Sequence, residues 1–174
     1  MKYQFKKIVN NFLKSINLKI ITQNKYFEII EKSKKFDKYV KVVNYLKDSN
    51  SENTHEILKN VEFSQSQLIQ DLFVLDSLNF KRQGFFVEFG AANGKDLSNT
   101  YILEKRFGWQ GIIAEPGKNW HSSILQKRDC NFSRDCVYKK DNELIEFNEA
   151  TVPDYSTIQE FSQSDHILRR SRKK

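Results

Sequence analysis

Two acidic residues, each at the end of an apolar run, flank the part of the chain whose residue types could bind a ligand. Glu88 is followed by a bend that carries Gly90 and Gly94, and Glu115 lies 21 residues beyond Gly94. Small residues let a ligand approach the backbone of the bend, and free amides at the start of a following helix favour a carboxylate or phosphate. An acid that ends the next strand is placed to accept both hydroxyls of a ribose. The spacing therefore predicts a site for a nucleoside-containing cofactor.

Two well-known phosphate-binding loops do not fit the same bend. The dinucleotide fingerprint G-x-G-x-x-G would need glycine where the chain has Ala92 and Lys95. A P-loop needs four residues between its glycines and Ser or Thr after its lysine, whereas three residues separate Gly90 from Gly94 and Asp96 follows Lys95. The bend is therefore not expected to cradle phosphate groups.

Three apolar runs separated by helical patterns predict the sheet that positions these residues. The runs FFVEF and GIIAEP are typical of strands buried on both faces, and NFSRDCVY is a weaker third strand. The segments LSNTYILEKRF and NWHSSILQKR between them predict helices. This alternation predicts an α/β fold with a Rossmann-like, doubly wound parallel sheet, whose ligands lie beyond the C-terminal ends of the strands.

The N-terminal region predicts helices that precede this sheet. Apolar side chains recur every three or four residues in two stripes, with lysines between them. The first stripe comprises Phe5, Ile8, Val9, Phe12, Leu13, Ile16 and Ile20, and the second Phe27, Ile30, Phe36, Tyr39, Val40, Val43 and Leu46. Such stripes usually pack against the rest of a protein, and the alternative is an amphipathic helix that lies on a membrane surface.

A further helix is predicted from about Gln65 to Asp76, because Ser64 and Gln67 have the spacing of a capping box. We place the N-terminal helical region at residues 1–62 and the α/β part at residues 63–174.

Composition argues against several classes of protein. The 174 residues carry 29 Lys and Arg against 22 Asp and Glu, and the excess of bases lies at the two ends, since residues 51–167 hold 12 bases and 18 acids. A nucleic-acid-binding core is therefore not expected, although the ends could touch an anionic membrane. Lysines interrupt every apolar run that could span a membrane, and two cysteines cannot form a disulfide framework. We expect a folded cytoplasmic protein.

At Glu88, the bend and Glu115, the sequence resembles the S-adenosylmethionine-dependent class I methyltransferases. Two longer stretches, SQSQLIQDLFVL and GFFVEFGAANGKDLSNTYILEKRFGWQGIIAEP, look closely like the FkbM family of methyltransferases, which act mostly on oxygen. The resemblance runs from about Ser64 to about Arg169 and includes STIQEFSQSDH. It implies S-adenosylmethionine as the cofactor, and an acidic pocket favours this sulfonium cation. The acceptor that it implies is a hydroxyl of a glycan or another small molecule.

The resemblance also implies which residues bind the cofactor. Those that would shape the pocket for its methionine part are Glu88, Gly90, Ala91, Asn93 and Gly94. Ser98 and Asn99 would contact the cofactor carboxylate or cap the helix. Glu115 would hold the ribose, and Asp135 would meet the adenine amine. The structural alternatives are a satisfied buried carboxylate at Glu88 and an ordinary strand-end acid at Glu115.

His166, beside Asp165 in the family-like segment SDH, is the candidate general base. Positioning supplies much of the rate of an in-line methyl transfer, so a base is needed only where the acceptor hydroxyl must lose its proton. The alternative is a solvent-exposed histidine, as is also expected of His55 and His121.

Four other conspicuous side chains are expected to be structural. Trp109 and Trp120 are expected in the core or in a pocket wall. Cys130 and Cys136 are expected to be small buried hydrophobic residues, and no metal site is expected because the chain shows no metal-ligand spacing.

Members of the FkbM family continue with further strands, so the sheet is expected to be incomplete at its C-terminal side. In the strand order 3-2-1-4-5, the first strand would lack its neighbour and form an open, partly uncovered edge. A missing C-terminal half or a second copy of the chain would then be the partner. The alternatives to an active methyltransferase are a non-catalytic remnant that binds cofactor or partner, and a basic peripheral membrane protein.

Overall fold

The computed structural model describes residues 22–162 and the three helical residues Lys7, Asn11 and Lys14. These residues belong to two units, one up to Val40 and one from Lys41 onward. The first apolar stripe, between Phe5 and Ile20, lies outside the described residues, so its interpretation stays a prediction. Within the described part, no helix is both long and apolar enough to cross a membrane.

Between residues 22 and 84, three helices precede the sheet: α1 (Gln23–Ser49), α2 (Thr54–Asn60) and α3 (Gln70–Ser77), with a 3-10 turn at Val61–Phe63. The second apolar stripe does not form the covered face of α1, because Phe27, Phe36 and Val43 are all more than half exposed. The buried residue is Val42 instead. Tyr45, Leu46 and Ser49, three, four and seven residues further on, are half-buried. Of the expected stripe, only Ile30, Tyr39 and Leu46 are half-buried.

Helix α3 begins five residues later than the capping-box pattern predicts. Asp71 is fully buried and accepts hydrogen bonds from Ser64 Oγ (2.7 Å), Ser66 Oγ (2.6 Å) and the backbone N–H of Gln65 (3.0 Å). These bonds hold residues 64–66 outside the helix, and Ile69 has a φ of 58° directly before it. The prediction of a helix from Gln65 was wrong because a carboxylate within α3, and not the helix's own amides, binds Ser64.

Three parallel strands follow in the order β1-β2-β3, with β2 in the centre. They are β1 (Phe85–Phe89), β2 (Gln110–Ala114) and β3 (Asn131–Ser133), connected by the helices α4 (Tyr101–Phe107) and α5 (Lys118–Lys127). Val87 pairs with Ile112, and Ile112 pairs with Asn131. The predicted strand-helix alternation is thus confirmed for three parallel strands.

A second sheet, which the sequence did not predict, has two antiparallel strands of two residues each. They are β4 (Phe147–Asn148) and β5 (Thr157–Ile158), with 3-10 turns at Pro153–Tyr155 and Gln159–Phe161. The protein is therefore a mixed α/β structure.

Only one face of β1 is buried. Phe86 is 6% exposed and pairs with Gly111. On the other face, Phe85, Val87 and Phe89 are 62%, 59% and 65% exposed. Burial of FFVEF on both faces was a wrong prediction. The expected open edge is confirmed within the described residues, where β2 is the only strand that pairs with β1.

Candidate functional site

A cavity of about 540 Å³ lies at the C-terminal ends of β1 and β2. Most of the predicted cofactor-binding residues line it, namely Glu88, Gly90, Ala91, Asn93, Ser98, Asn99 and Glu115. Asp96 and Ser156 add polar groups to its wall, and apolar walls come from Phe89, Leu97, Pro116, Trp120 and Phe147. Parallel strands present their C-terminal ends at one edge of a sheet, which explains why two acids 27 residues apart share one cavity.

The cavity is acidic. Three carboxylates line it, those of Glu88, Asp96 and Glu115, and no lysine, arginine or histidine does so among the described residues. Such a wall attracts a cation and repels a phosphate.

Glu115 is held in the cavity wall by the backbone. Its side chain follows β2 directly, and the residue is 7% exposed. Oε2 accepts the N–H of Ala92 in the bend (2.9 Å), and Oε1 accepts the N–H of Gly117 (2.8 Å). Each carboxylate oxygen has two lone pairs, so both oxygens keep one acceptor position for a ligand.

The Glu88 carboxylate is occupied by the protein itself. It accepts hydrogen bonds from Ser98 Oγ (2.9 Å to Oε2), from the N–H of Asn99 (3.0 Å to Oε1) and from Thr100 Oγ1 (2.6 Å to Oε2). Arg128 adds an ion pair at 3.2 Å. Its environment is that of a satisfied buried carboxylate, the structural alternative for this residue.

The amides before α4 are used in the same network. Ser98 Oγ accepts the N–H groups of Thr100 (3.2 Å) and Tyr101 (3.1 Å). The helix begins at Tyr101, later than the pattern LSNTYILEKRF predicts, because these bonds and Leu97 at φ 63° hold residues 97–100 in a turn. Ser98 therefore has a capping function, and the amides of Asn99, Thr100 and Tyr101 have partners within the chain.

The bend owes its shape to two glycines with different surroundings. Gly90 has φ 71° and nothing within 4 Å of the position that a Cβ would take. Gly94 has φ 80°, and its Cβ would lie 3.2 Å from Arg128 Cγ and 3.2 Å from Ile124 Cγ1. Gly94 does not line the cavity but packs against α5. Between them, Asn93 Oδ1 accepts the N–H groups of Lys95 and Asp96 and fixes the turn.

Asp135 lies apart from the other predicted cofactor-binding residues. It lines a neighbouring cavity of about 750 Å³, which shares only Pro116 and Phe147 with the first. Its carboxylate accepts the hydroxyl of Ser133 at 2.8 Å, and the residue is exposed.

The histidines have different environments. His166 and Asp165 lie outside the described residues, so the general base stays a prediction. His55 is exposed, as expected. His121 is half-buried, with Nε2 3.0 Å from the carbonyl oxygen of Glu115 and its ring edge-to-face with Phe132. The expectation of an exposed His121 was wrong, because α5 places it over β3.

The tryptophans and cysteines have structural positions. Trp109 is buried and donates its Nε1–H to the carbonyl of Lys81 (2.9 Å), whereas Trp120 lines the first cavity.

Burial and a hydrogen bond to Glu104 raise the pKa of Cys130 to about 11, and burial and the nearby Glu115 raise the pKa of Cys136. Both thiols are therefore protonated at neutral pH and weak nucleophiles. The described part of the chain holds no cluster that could bind a metal.

Part of the site carries no recognisable signal in the sequence. Phe147, Pro153 and Ser156 complete the cavity from a segment with no recognisable motif. Arg128 ends an ordinary amphipathic helical pattern, and no local signal distinguishes it from an exposed lysine or arginine.

Comparisons of the chain with protein-family models, with curated proteins and with solved structures found no match. What the site can do therefore follows from its own geometry. The cavity offers carboxylates at its base, one of them with free acceptor positions, and an aromatic wall at Trp120 and Phe147. This arrangement suits a cationic ligand that also carries hydroxyls and an aromatic ring.

Proposed function

We propose that the chain is an S-adenosylmethionine-dependent methyltransferase that resembles the FkbM family, built on a Rossmann-like sheet. The observation that carries the proposal is the acidic cavity beyond β1 and β2, which has three carboxylates and, among the described residues, no basic side chain in its wall. When bound, S-adenosylmethionine supplies a methyl group on a sulfonium centre. Its positive sulfur distinguishes it from NAD and from nucleotide triphosphates, which such a wall disfavours.

In this proposal, Glu115 and Glu88 have different roles. Glu115 accepts the ribose hydroxyls with the positions that Ala92 and Gly117 leave free. Glu88 acts through the turn that it holds, since Ser98, Asn99 and Thr100 already occupy its oxygens. The methyl acceptor is a hydroxyl of a glycan or another small molecule, oriented for in-line attack. His166 stays the candidate base.

Isothermal titration calorimetry with four ligands tests the proposal: S-adenosylmethionine, S-adenosylhomocysteine, NAD and ATP. We expect binding of the first two, with the cationic S-adenosylmethionine bound more tightly than its uncharged product. ATP and NAD should not bind. Equal or tighter binding of ATP would remove the electrostatic argument, and failure of S-adenosylmethionine to bind would remove the proposed function.

The ribose contact needs a comparison between ligands, because Glu115→Gln also disturbs the bend that Glu115 holds. Wild-type protein should lose about tenfold or more in affinity when S-adenosylhomocysteine lacks its 2′ and 3′ hydroxyls, since two hydrogen bonds to a charged acceptor disappear. In Glu115→Gln, removal of the two hydroxyls should lower the affinity for the ligand by a smaller factor. Glu56→Gln, an exposed acid on α2, serves as the control and should lose as much as the wild type. An equal loss in Glu115→Gln would exclude the ribose contact.

A partner-binding remnant is the second candidate, and the exposed face of β1 favours it. Phe85, Val87 and Phe89 form an apolar row beside an edge that pairs with no other described strand. Parallel sheets normally have both faces covered, so a partner polypeptide would supply the missing cover. This candidate predicts no binding of S-adenosylmethionine by the isolated chain, whereas the methyltransferase proposal predicts binding.

A further inference from the structure

Arg128 lies directly behind the candidate cofactor cavity and outside its lining. It follows the last residue of α5, and its side chain is 1% exposed. Its Nε donates to Glu104 Oε2 on α4 at 2.7 Å. One terminal nitrogen donates to the carbonyl oxygen of Gly94 at 3.0 Å and to Glu88 Oε2 at 3.2 Å. The guanidinium therefore connects α4, the bend and the end of β1.

The same guanidinium also reaches the turn before α4. Its other terminal nitrogen donates to Thr100 Oγ1 at 2.8 Å, and the nitrogen that binds Gly94 and Glu88 also donates to Ser98 Oγ at 3.3 Å. The ring centres of Phe86 and Tyr101 lie 5.4 and 5.7 Å from its central carbon. Two of the five acceptors of Arg128, Glu88 and Ser98, line the cavity, and two more, Gly94 and Thr100, directly follow a lining residue in the chain. The fifth acceptor is Glu104 on α4.

The chemistry of this position favours arginine over any other residue. A guanidinium stays protonated at all relevant pH values and presents its donors in a fixed planar fork, so it can hold several acceptors in one geometry. A lysine has the same charge but a single nitrogen, whereas Arg128 uses three separate nitrogens to reach Glu104, Gly94 and Thr100. The two buried carboxylates of Glu88 and Glu104 offset the cost of burying the charge.

We propose that Arg128 is the positioning residue of the cofactor cavity, which fixes Glu88 and the turn Ser98–Thr100 in the arrangement that binds the cofactor. The inference rests on the proposed function, because it assigns the effect to cofactor affinity. Arg128 does not touch the cavity and acts only through these partners.

The test compares Arg128→Lys with Arg106→Lys. Arg106 serves as the control, since it donates to an amide oxygen (Asn60, 2.6 Å) and stacks on a ring (Phe63), although it is only half-buried, and it contacts no residue of the cavity. At a temperature where both variants are folded, Arg128→Lys should lose at least tenfold in affinity for S-adenosylmethionine by calorimetry. Arg106→Lys should bind like the wild type.

Hydrogen exchange supplies a readout that needs no ligand. The amides of Asn99 and Tyr101 are bonded to Glu88 and Ser98, so their exchange should accelerate in Arg128→Lys and stay unchanged in Arg106→Lys. Wild-type affinity in Arg128→Lys, or reduced affinity with unchanged exchange at these amides, would overturn the proposal.

A double variant tests whether Arg128 acts through Glu88. If it does, Glu88→Gln combined with Arg128→Lys should bind S-adenosylmethionine about as well as the weaker single variant, and additive losses would contradict the proposal. If the wild-type chain binds no S-adenosylmethionine, the proposed function fails. The exchange data then still decide whether Arg128 fixes the turn.

Discussion

Glu88, within β1, and Glu115, directly after β2, are the same residue type near the C-terminal ends of neighbouring strands, but the protein holds them differently. Glu88 receives hydrogen bonds from two hydroxyls and an amide and an ion pair from Arg128, whereas Glu115 receives two backbone amides. A carboxylate with fewer protein donors has more capacity for a ligand. We therefore assign stability mainly to Glu88 and ligand binding mainly to Glu115.

This difference predicts that Glu88→Gln destabilises the protein more than Glu115→Gln does. Glu88→Gln should lower the free energy of unfolding by about 3 kcal/mol, because it removes one of the two carboxylates that compensate a buried guanidinium. Glu115→Gln should cost about 1 kcal/mol, since it weakens hydrogen bonds without unpairing a buried charge. Urea denaturation measures both values. A smaller cost for Glu88→Gln than for Glu115→Gln would contradict the assignment.

The two glycines of the bend give a second comparison at this scale. Gly90→Ala should destabilise the protein by about 1–2 kcal/mol, because only its positive φ disfavours a side chain. Gly94→Ala should cost about 1 kcal/mol more, since its Cβ would also press on Arg128 and Ile124. Thermal unfolding of the two variants measures the difference, and equal costs would mean that α5 yields without strain.

At the scale of elements, the junction of α4 with the end of α5 depends on Glu104. Burial alone would raise the pKa of this carboxyl, but the backbone N–H of Asp129 and the Arg128 guanidinium together hold its pKa below the ordinary value of 4.5. A folded-state pKa below the unfolded value means that the stabilisation is complete above pH 4.5 and is lost as the pH falls through the folded value.

Glu104→Gln should therefore flatten the acid limb of the stability curve. We expect a loss of about 3 kcal/mol at neutral pH, because Arg128 loses one of its two buried carboxylates, and a weaker dependence on pH below 4.5 than in the wild type. Urea unfolding between neutral pH and pH 3 measures the slope. Glu56→Gln, on the exposed face of α2, should keep the wild-type slope, and an unchanged slope in Glu104→Gln would contradict the assignment.

How much the sequence predicts differs between elements. The bounds of β1 match the run FFVEF, and the shared position of Glu88, the bend and Glu115 follows from strand ends and spacing, because both depend on local pattern. The full set of seven cavity residues is implied by the family resemblance. The starts of α3 and α4 cannot be predicted from local pattern, since Asp71 and Glu88 hold the residues before each helix through side-chain bonds that no periodicity reveals. Arg128 has partners up to 40 residues away, so only the folded chain identifies it.

For the molecule as a whole, the uncovered face of the sheet is the feature with the largest consequence. Phe85 and Val87 are each about three-fifths exposed on a strand whose outer edge no described strand pairs with. The strand also lacks the lysine, proline or bulge that usually protects an exposed edge. We expect the purified chain to associate as its concentration rises.

Phe85→Lys should weaken this association by about tenfold or more, because burial of one phenylalanine side chain contributes about 2 kcal/mol. Leu125→Lys is the matched control, since it makes the same change at a side chain that is 60% exposed on α5. Sedimentation velocity over a range of concentrations measures both. Phe89 is left intact because it also lines the cavity, so affinity for S-adenosylmethionine should be unaffected in Phe85→Lys. If both variants associate like the wild type, the face of β1 is not the contact surface, and cover for the sheet must come from elsewhere.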